Sequence, residues 1–123
     1  MIVAGFGFRA GAGAESLADA LALALAGGPA PTLIATAADK AESPAFRAFA
    51  AARGLPVRGI DAAALAGSAT LTQSPTARAA RGTGSVAEAA ALVAAGPGAR
   101  LLAPRAVSAD GMATCALAEG DGG

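Results

Sequence analysis

Among its 123 residues the sequence has no histidine, no tryptophan and no tyrosine, a single cysteine (Cys115) and a single lysine (Lys40). Each gap removes a class of chemistry. Without histidine there is no Ser–His or Cys–His nucleophile pair, no ordinary general base near neutral pH, and none of the commonest metal ligand. One cysteine allows no internal disulfide and no cysteine-rich zinc site, which fits a reducing cytoplasm. No basic stripe appears and there is no Tyr or Trp to stack bases, so the pattern argues against nucleic acid as a partner. The longest apolar stretch, residues 17–26, contains Asp19 and is too short to span a membrane; with Glu15 just ahead of it and no basic cluster at the N-terminus, it does not read as a signal peptide.

What is present is small and apolar. The composition is 54% hydrophobic and 3% aromatic, and the formal net charge is zero. Ala, Leu and Val dominate, so the core is expected to rest on close backbone packing. A chain of this length suits one domain and buries roughly two thirds of the surface its unfolded form exposes.

Strand-like and helix-like stretches alternate. Residues 1–8 (M-I-V-A-G-F-G-F) read as a buried strand, continuous in apolar character as a strand covered on both faces must be. A turn with Gly7, Gly11 and Gly13 follows. A helix is expected over about residues 14–26, with Leu17, Leu21 and Leu25 on one stripe and Gly27-Gly28-Pro29 ending it. Residues 31–37 form a second strand. Ser43-Pro44 opens a second helix with Phe46, Phe49 and Ala50 inward, closed by Gly54. Residues 55–60 form a third strand, and Asp61 caps a brief helical turn. Residues 67–81 read as a long irregular connection. Further strands are expected at 99–103 and 112–118. The fold class is therefore α/β: a single three-layer α/β/α domain over residues 1–118, its sheet of about five strands mostly parallel or mixed, with a disordered tail at 119–123.

The block from Gly82 to Gly96, G-T-G-S-V-A-E-A-A-A-L-V-A-A-G, organises the rest. Ser85 is a good N-cap, and Glu88 three residues on completes a capping-box spacing. Gly82 and Gly84 leave the backbone free for close approach, and the helix start suits an anion. Spacing alone fits both a ligand-facing helix start and a plain loop-to-helix junction.

The stretch Gly5 to Ala10 also fits the dinucleotide fingerprint G-x-G-x-x-G/A, but Gly11 and Gly13 delay the helix and no acidic residue closes the second strand. If the strands are parallel, Arg9, Lys40 and Arg105 gather at their carboxyl edge, where open α/β sheets bind ligands. A carboxylate- or phosphate-binding cluster and a solvated rim of charge both fit. Lys40 as a base or Schiff-base nucleophile is less favoured than a plain charge contact, and Cys115, mid-strand between small residues, reads as buried.

Taken together, G-F-G-F-R-A-G, T-A-A-D-K-A-E-S-P, G-T-G-S-V-A-E-A-A-A-L and L-L-A-P-R followed by M-A-T-C-A-L-A resemble the CobE family of cobalamin-biosynthesis proteins, itself similar to the C-terminal domain of CbiG. The resemblance covers almost the whole chain. Three departures stand out. Phe8 occupies a place where the family has Cys, which speaks against thiol chemistry at that turn. Gly13 replaces a Ser cap, and Ser43 replaces an acidic residue.

The resemblance implies a cytoplasmic protein of the corrin-ring pathway. CbiG resembles a two-part hydrolase that opens a lactone on a cobalt-corrinoid precursor, and the present residues correspond to one part. The implied ligand is a corrinoid or precorrin intermediate, a flat ring fringed with carboxylates. Gly7, Phe8, Arg9, Gly11, Lys40, Gly82, Thr83, Gly84 and Ser85 are the expected substrate-binding residues. No cofactor, metal or catalytic residue is assigned. Another enzyme of the pathway and a second copy of the chain are the candidate protein partners. A carrier or accessory binder is the first reading; a hydrolase or lyase using Lys40 or Glu42 is the second, and a dinucleotide-binding regulator the third.

Overall fold

The computed structural model describes residues 1–121. β1 (Ile2–Phe8), β2 (Leu33–Ala37) and β3 (Val57–Ile60) lie side by side and parallel, and β6 (Ala113–Glu119) runs antiparallel along the whole of β1. Two-residue strands β4 (Arg100–Leu101) and β5 (Ala106–Val107) both pair with the far side of β6. The sheet is thus mixed, six-stranded and ordered β3-β2-β1-β6-β4, with β5 beside β4 on β6. The sixth strand is β5, whose two residues carry no pattern of their own and exist as a strand only through pairing with Cys115 and Thr114.

Alternation along β1 sorts the layers, because successive side chains leave a strand on opposite faces. Ala4 and Phe6 pack with Leu17 and Leu21 of α1 (Ala14–Leu25) and with Phe46 and Phe49 of α2 (Pro44–Arg53). The Phe6 ring meets Phe46 and Phe49 edge-on, at centroid distances of 5.7 and 5.4 Å. Val3, on the other face, joins Leu65 of α3 (Ala62–Ala66) and the alanines of α5 (Val86–Ala95).

Gly5 makes that second layer possible. A Cβ there would lie 2.0 Å from the Ala87 carbonyl oxygen and 2.5 Å from the Ala91 nitrogen, so α5 rests directly on the β1 backbone. The alanine-rich helix and the strand glycine are two halves of one close contact.

Most element ends follow their local chemistry. Gly54 closes α2 in the left-handed region at φ 65°, and the Asp61 carboxylate accepts from the Ala64 N–H at 2.8 Å to start α3. The irregular connection differs from expectation: residues Pro75–Arg81 form a helix, α4, with Ser74 capping it and Gly82 ending it at φ 70°. None of its residues is buried, which is why no apolar stripe announces it. Glu119 belongs to β6 and the Gly120 N–H donates to the Met1 carbonyl at 3.0 Å; the rest of the expected tail beyond Asp121 lies outside the described residues.

Candidate functional site

A cavity of about 520 Å³ opens at the carboxyl edge of β1 and β2, where β6 begins. Gly7, Phe8 and Arg9 form its side along β1, with Lys40 after β2 and Arg105 ahead of β5. Ala77, Ala80 and Arg81 of α4 cover it, and Met112 and Thr114 complete the wall at the start of β6. Ligands in open α/β sheets bind outside this carboxyl edge of the parallel strands.

The charge of the lining is one-sided. Arg9, Lys40, Arg81 and Arg105 all reach it and no carboxylate does, in a chain whose charges sum to zero. Arg81 is paired with Asp39, its Nη1 and Nη2 donating to the two carboxylate oxygens at 2.7 and 2.9 Å. The Arg81 guanidinium keeps the Asp39 carboxyl below the usual carboxylate range, and Asp39 in turn raises Arg81. Among the described residues, Arg9, Lys40 and Arg105 have no carboxylate within salt-bridge distance.

Lys40 has an aromatic seat instead. Its Nζ lies 5.1 Å from the centroid of the Phe8 ring. The Phe8 ring is stacked on Phe46 at 5.5 Å with 10° between planes. Phe8 therefore fills by packing and by its π-face the place where the family resemblance has a thiol.

Behind the cavity lies a buried carboxylate. Glu88 is wholly inaccessible, and its oxygens accept from the N–H groups of Leu71, Thr72 and Arg105 at 2.6, 2.8 and 2.9 Å and from the Thr72 hydroxyl. Burial alone would raise its pKa, but these donors outweigh burial and hold it below the ordinary value. Ser85 does cap α5, accepting from the Glu88 N–H at 3.2 Å. The reciprocal half of the capping box is not made, because the Glu88 side chain is spent on Leu71, Thr72 and Arg105.

The expected site residues separate into two groups. Gly7, Phe8, Arg9 and Lys40 line the cavity. Gly11 is off the lining but next to it, where a Cβ would lie 3.3 Å from Met112 Cε. Gly82, Thr83, Gly84 and Ser85 form the joint between α4 and α5 and do not line the cavity. Thr83 and Ser85 are buried. A Cβ on Gly84 would sit 2.3 Å from the Thr72 carbonyl oxygen and 2.6 Å from Thr70 Oγ1, so what approaches that glycine is the chain's own loop. Arg81 and the rest of the α4 wall were not among the expected residues. The Ser74-Pro75 pair that starts α4 repeats the Ser43-Pro44 pair that starts α2, and it was the available signal.

Other candidates fall away from the cavity. Cys115 is fully buried, and burial pushes its thiol upward. Glu42 is exposed and paired with Arg47 at 2.5 Å. Asp110, held down to a pKa of about 2 by the Ser108 and Ser16 hydroxyls and the Met112 N–H, fixes the turn that leads into β6. No group of acidic, Cys or His side chains that could hold a metal occurs among the described residues, and none of their helices is long and apolar enough to cross a membrane.

The architecture defines a class: open, mixed α/β domains with a ligand-sized crevice at the carboxyl edge of their parallel strands. Within it, residues 2–118 match the family described as Cobalamin synthesis G C-terminus, and the chain belongs to that family. The crystal structure of CobE, a protein from the cobalamin (vitamin B12) biosynthetic pathway, superposes with a TM-score of 0.87 at 32% identity, covering 96% of this chain and 92% of that one. The crystal structure of cobalamin biosynthesis protein chiG from Agrobacterium tumefaciens str. C58 gives a TM-score of 0.76 at 35% identity, covering 98% of each chain. A search of curated proteins finds no match. The chain is a cobalamin-biosynthesis protein of the CobE and CbiG C-terminal type.

Proposed function

We propose that the chain binds a carboxylate-fringed corrin-ring intermediate at the cavity beside Phe8 and acts as a carrier or accessory factor for an enzyme of the pathway. The observation that carries this reading is the lining itself: Arg9, Lys40, Arg81 and Arg105 with no acid among them. A corrin ring edged with acetate and propionate groups offers several carboxylates at once, and Arg forks match them bidentately. The cavity takes the rim of such a ring; Gly7, Ala77 and Ala80 keep the walls low enough for the ring's face to come close.

The hydrolase alternative has less to work with. Of its two candidate residues, Lys40 faces the cavity and Glu42 does not. No acid stands beside Lys40 on the lining to form an acid–base pair. The carrier reading therefore comes first.

Absorbance titration with cobyrinic acid and its metal-free counterpart, at low and high salt, tests it. A saturable spectral shift that weakens with salt is expected. No shift with either, in a folded chain, overturns the binder. Incubation with a lactone-bearing precursor distinguishes the alternative: turnover above background that is lost in Lys40→Ala would put the hydrolase first.

A further inference from the structure

We infer that Glu88 is a positioning residue for the cavity, a buried carboxylate that ties the Arg105 wall and the segment leading into α4 to one point on α5. The inference deepens the proposed anion-binding reading and rests on it for its functional part.

Glu88 is a costly residue to bury. A lone inaccessible carboxylate is strongly disfavoured, and this one is tolerated only because all its acceptor capacity is taken up. The donors come from two segments that are remote in sequence and have no regular hydrogen-bond ladder joining them. Oε1 receives the N–H groups of Leu71 and Thr72, just ahead of Ser74 and α4. Oε2 receives the Thr72 hydroxyl and the Arg105 N–H. Both segments feed the cavity, one through Ser74, Ala77 and Arg81, the other through Arg105 itself.

The Arg105 bond is the informative one. Its backbone nitrogen is bonded to the Cα that launches a lining guanidinium. Arg105 lies between the two-residue strands β4 and β5, where the chain has little else to fix it. A capping-box glutamate would have reached back to the Ser85 N–H; here the carboxylate is turned instead toward Leu71, Thr72 and Arg105. The α5 helix, packed through Gly5 against β1, gives the carboxylate a rigid base.

The experiment uses uroporphyrin, a soluble tetrapyrrole fringed with acetate and propionate groups, as the probe. Its affinity is measured for the wild-type chain, Glu88→Gln, Arg105→Ala and the double variant, beside amide exchange at Arg105 in the unliganded proteins. Arg105→Ala should weaken binding about tenfold, the scale of one charged hydrogen bond. Glu88→Gln keeps the shape and removes the acceptor facing Arg105. It should release the Arg105 amide to exchange and weaken binding about fivefold, but under about twofold once Arg105 is already Ala, because coupled residues do not add. Should Glu88→Gln not fold, Thr72→Val loosens the same carboxylate from one side and should show the same non-additivity with Arg105→Ala. Additive losses, or an Arg105 amide that exchanges no faster in Glu88→Gln, overturn the tie. A wild-type chain that does not bind uroporphyrin, with the Arg105 amide still released in Glu88→Gln, overturns the ligand class and upholds the tie.

Discussion

Arg81 and Asp39 are 42 residues apart in sequence and make a two-pronged ion pair at the mouth of the cavity, with both guanidinium Nη atoms donating at 2.7 and 2.9 Å. Arg81 is the last residue of α4, and Asp39 follows β2. Because no residue of α4 is buried, the helix is held to the sheet edge by polar contacts, chiefly this pair and the Ser74 N–H bond to the Gly84 carbonyl at 2.8 Å. The clasp also occupies a cation that a ligand carboxylate would seek.

Breaking the clasp should loosen α4 far more than it destabilises the chain. Asp39 is mostly exposed, so Asp39→Asn should cost under about 1 kcal/mol of global stability, the range for surface pairs. Amide exchange over residues 75–81 should nevertheless rise severalfold. The pH dependence has a definite sign. Arg81 depresses the folded-state pKa of Asp39, so the pair contributes fully above the unfolded carboxylate pKa and is lost as pH falls through the lower, folded value. Protection of the α4 amides relative to their intrinsic exchange rates should therefore fall below about pH 4 in the wild type and stay constant there in Asp39→Asn. Equal loss of protection in both would assign the acid response to another group.

Glycine substitutions should separate close packing from turn formation. Gly5→Ala forces a methyl against the backbone of α5 and should cost about 3 kcal/mol or more in urea denaturation, the upper range of overpacking. Gly84→Ala meets the Thr72 carbonyl and should be similarly harmful without touching any cavity residue. Gly13 has open space and extended backbone at φ −96°. Gly13→Ser should instead gain a few tenths of a kcal/mol by adding the missing N-cap to α1.

The contrast between Gly5 and Gly84 shows how much was legible in the sequence. The fold class, the strands at β1, β2, β3 and β6 and the two leucine- and phenylalanine-striped helices follow from patterns within ten or so residues. Arg9, Lys40 and Arg105 at one edge follow from placing charges at strand ends. What local pattern did not carry is long-range. The Gly84 sequence invites a close approach but cannot say that residues 70–73 supply it. Glu88 has capping-box spacing, yet its carboxylate is claimed by donors 16 and 17 residues away on either side. The helix α4 lacks an apolar face because it lies on a cavity rather than on a core.

Glu88 should contribute to the response of stability to acid. Glu88→Ala leaves the N–H groups of Leu71, Thr72 and Arg105 without their acceptor and should cost about 3 kcal/mol or more at pH 7. Its folded pKa is lowered, so its contribution is present above the unfolded glutamate value and is lost as pH falls through the folded one. Asp39 and Asp110 are shifted in the same direction, and all three act on the acid limb. Urea midpoints measured from pH 6 to pH 3 should fall steeply for the wild type and less steeply for Glu88→Gln. Parallel curves would mean that the carboxylate's charge is not what the three backbone donors stabilise.

Phe8 and Lys40 give a prediction specific to this chain. The phenyl ring is stacked on Phe46 and has the Lys40 ammonium 5.1 Å from its centroid. Cation–π attraction of this kind is worth about 0.5–1 kcal/mol at a partly exposed site, enough to bias where a flexible lysine points but not to fix the fold. Phe8→Leu retains apolar bulk against Phe46 and removes the quadrupole. It should weaken corrinoid binding about two- to fivefold in the wild-type background, the affinity equivalent of that energy. In the Lys40→Ala background the same substitution should have no further effect, because the ring would have no cation to orient. Equal losses in both backgrounds would show that the ring touches the ligand directly. Phe8→Cys, which restores the residue expected from the family resemblance, should then behave as Phe8→Leu does toward Lys40, while losing more stability through the emptied space beside Phe46.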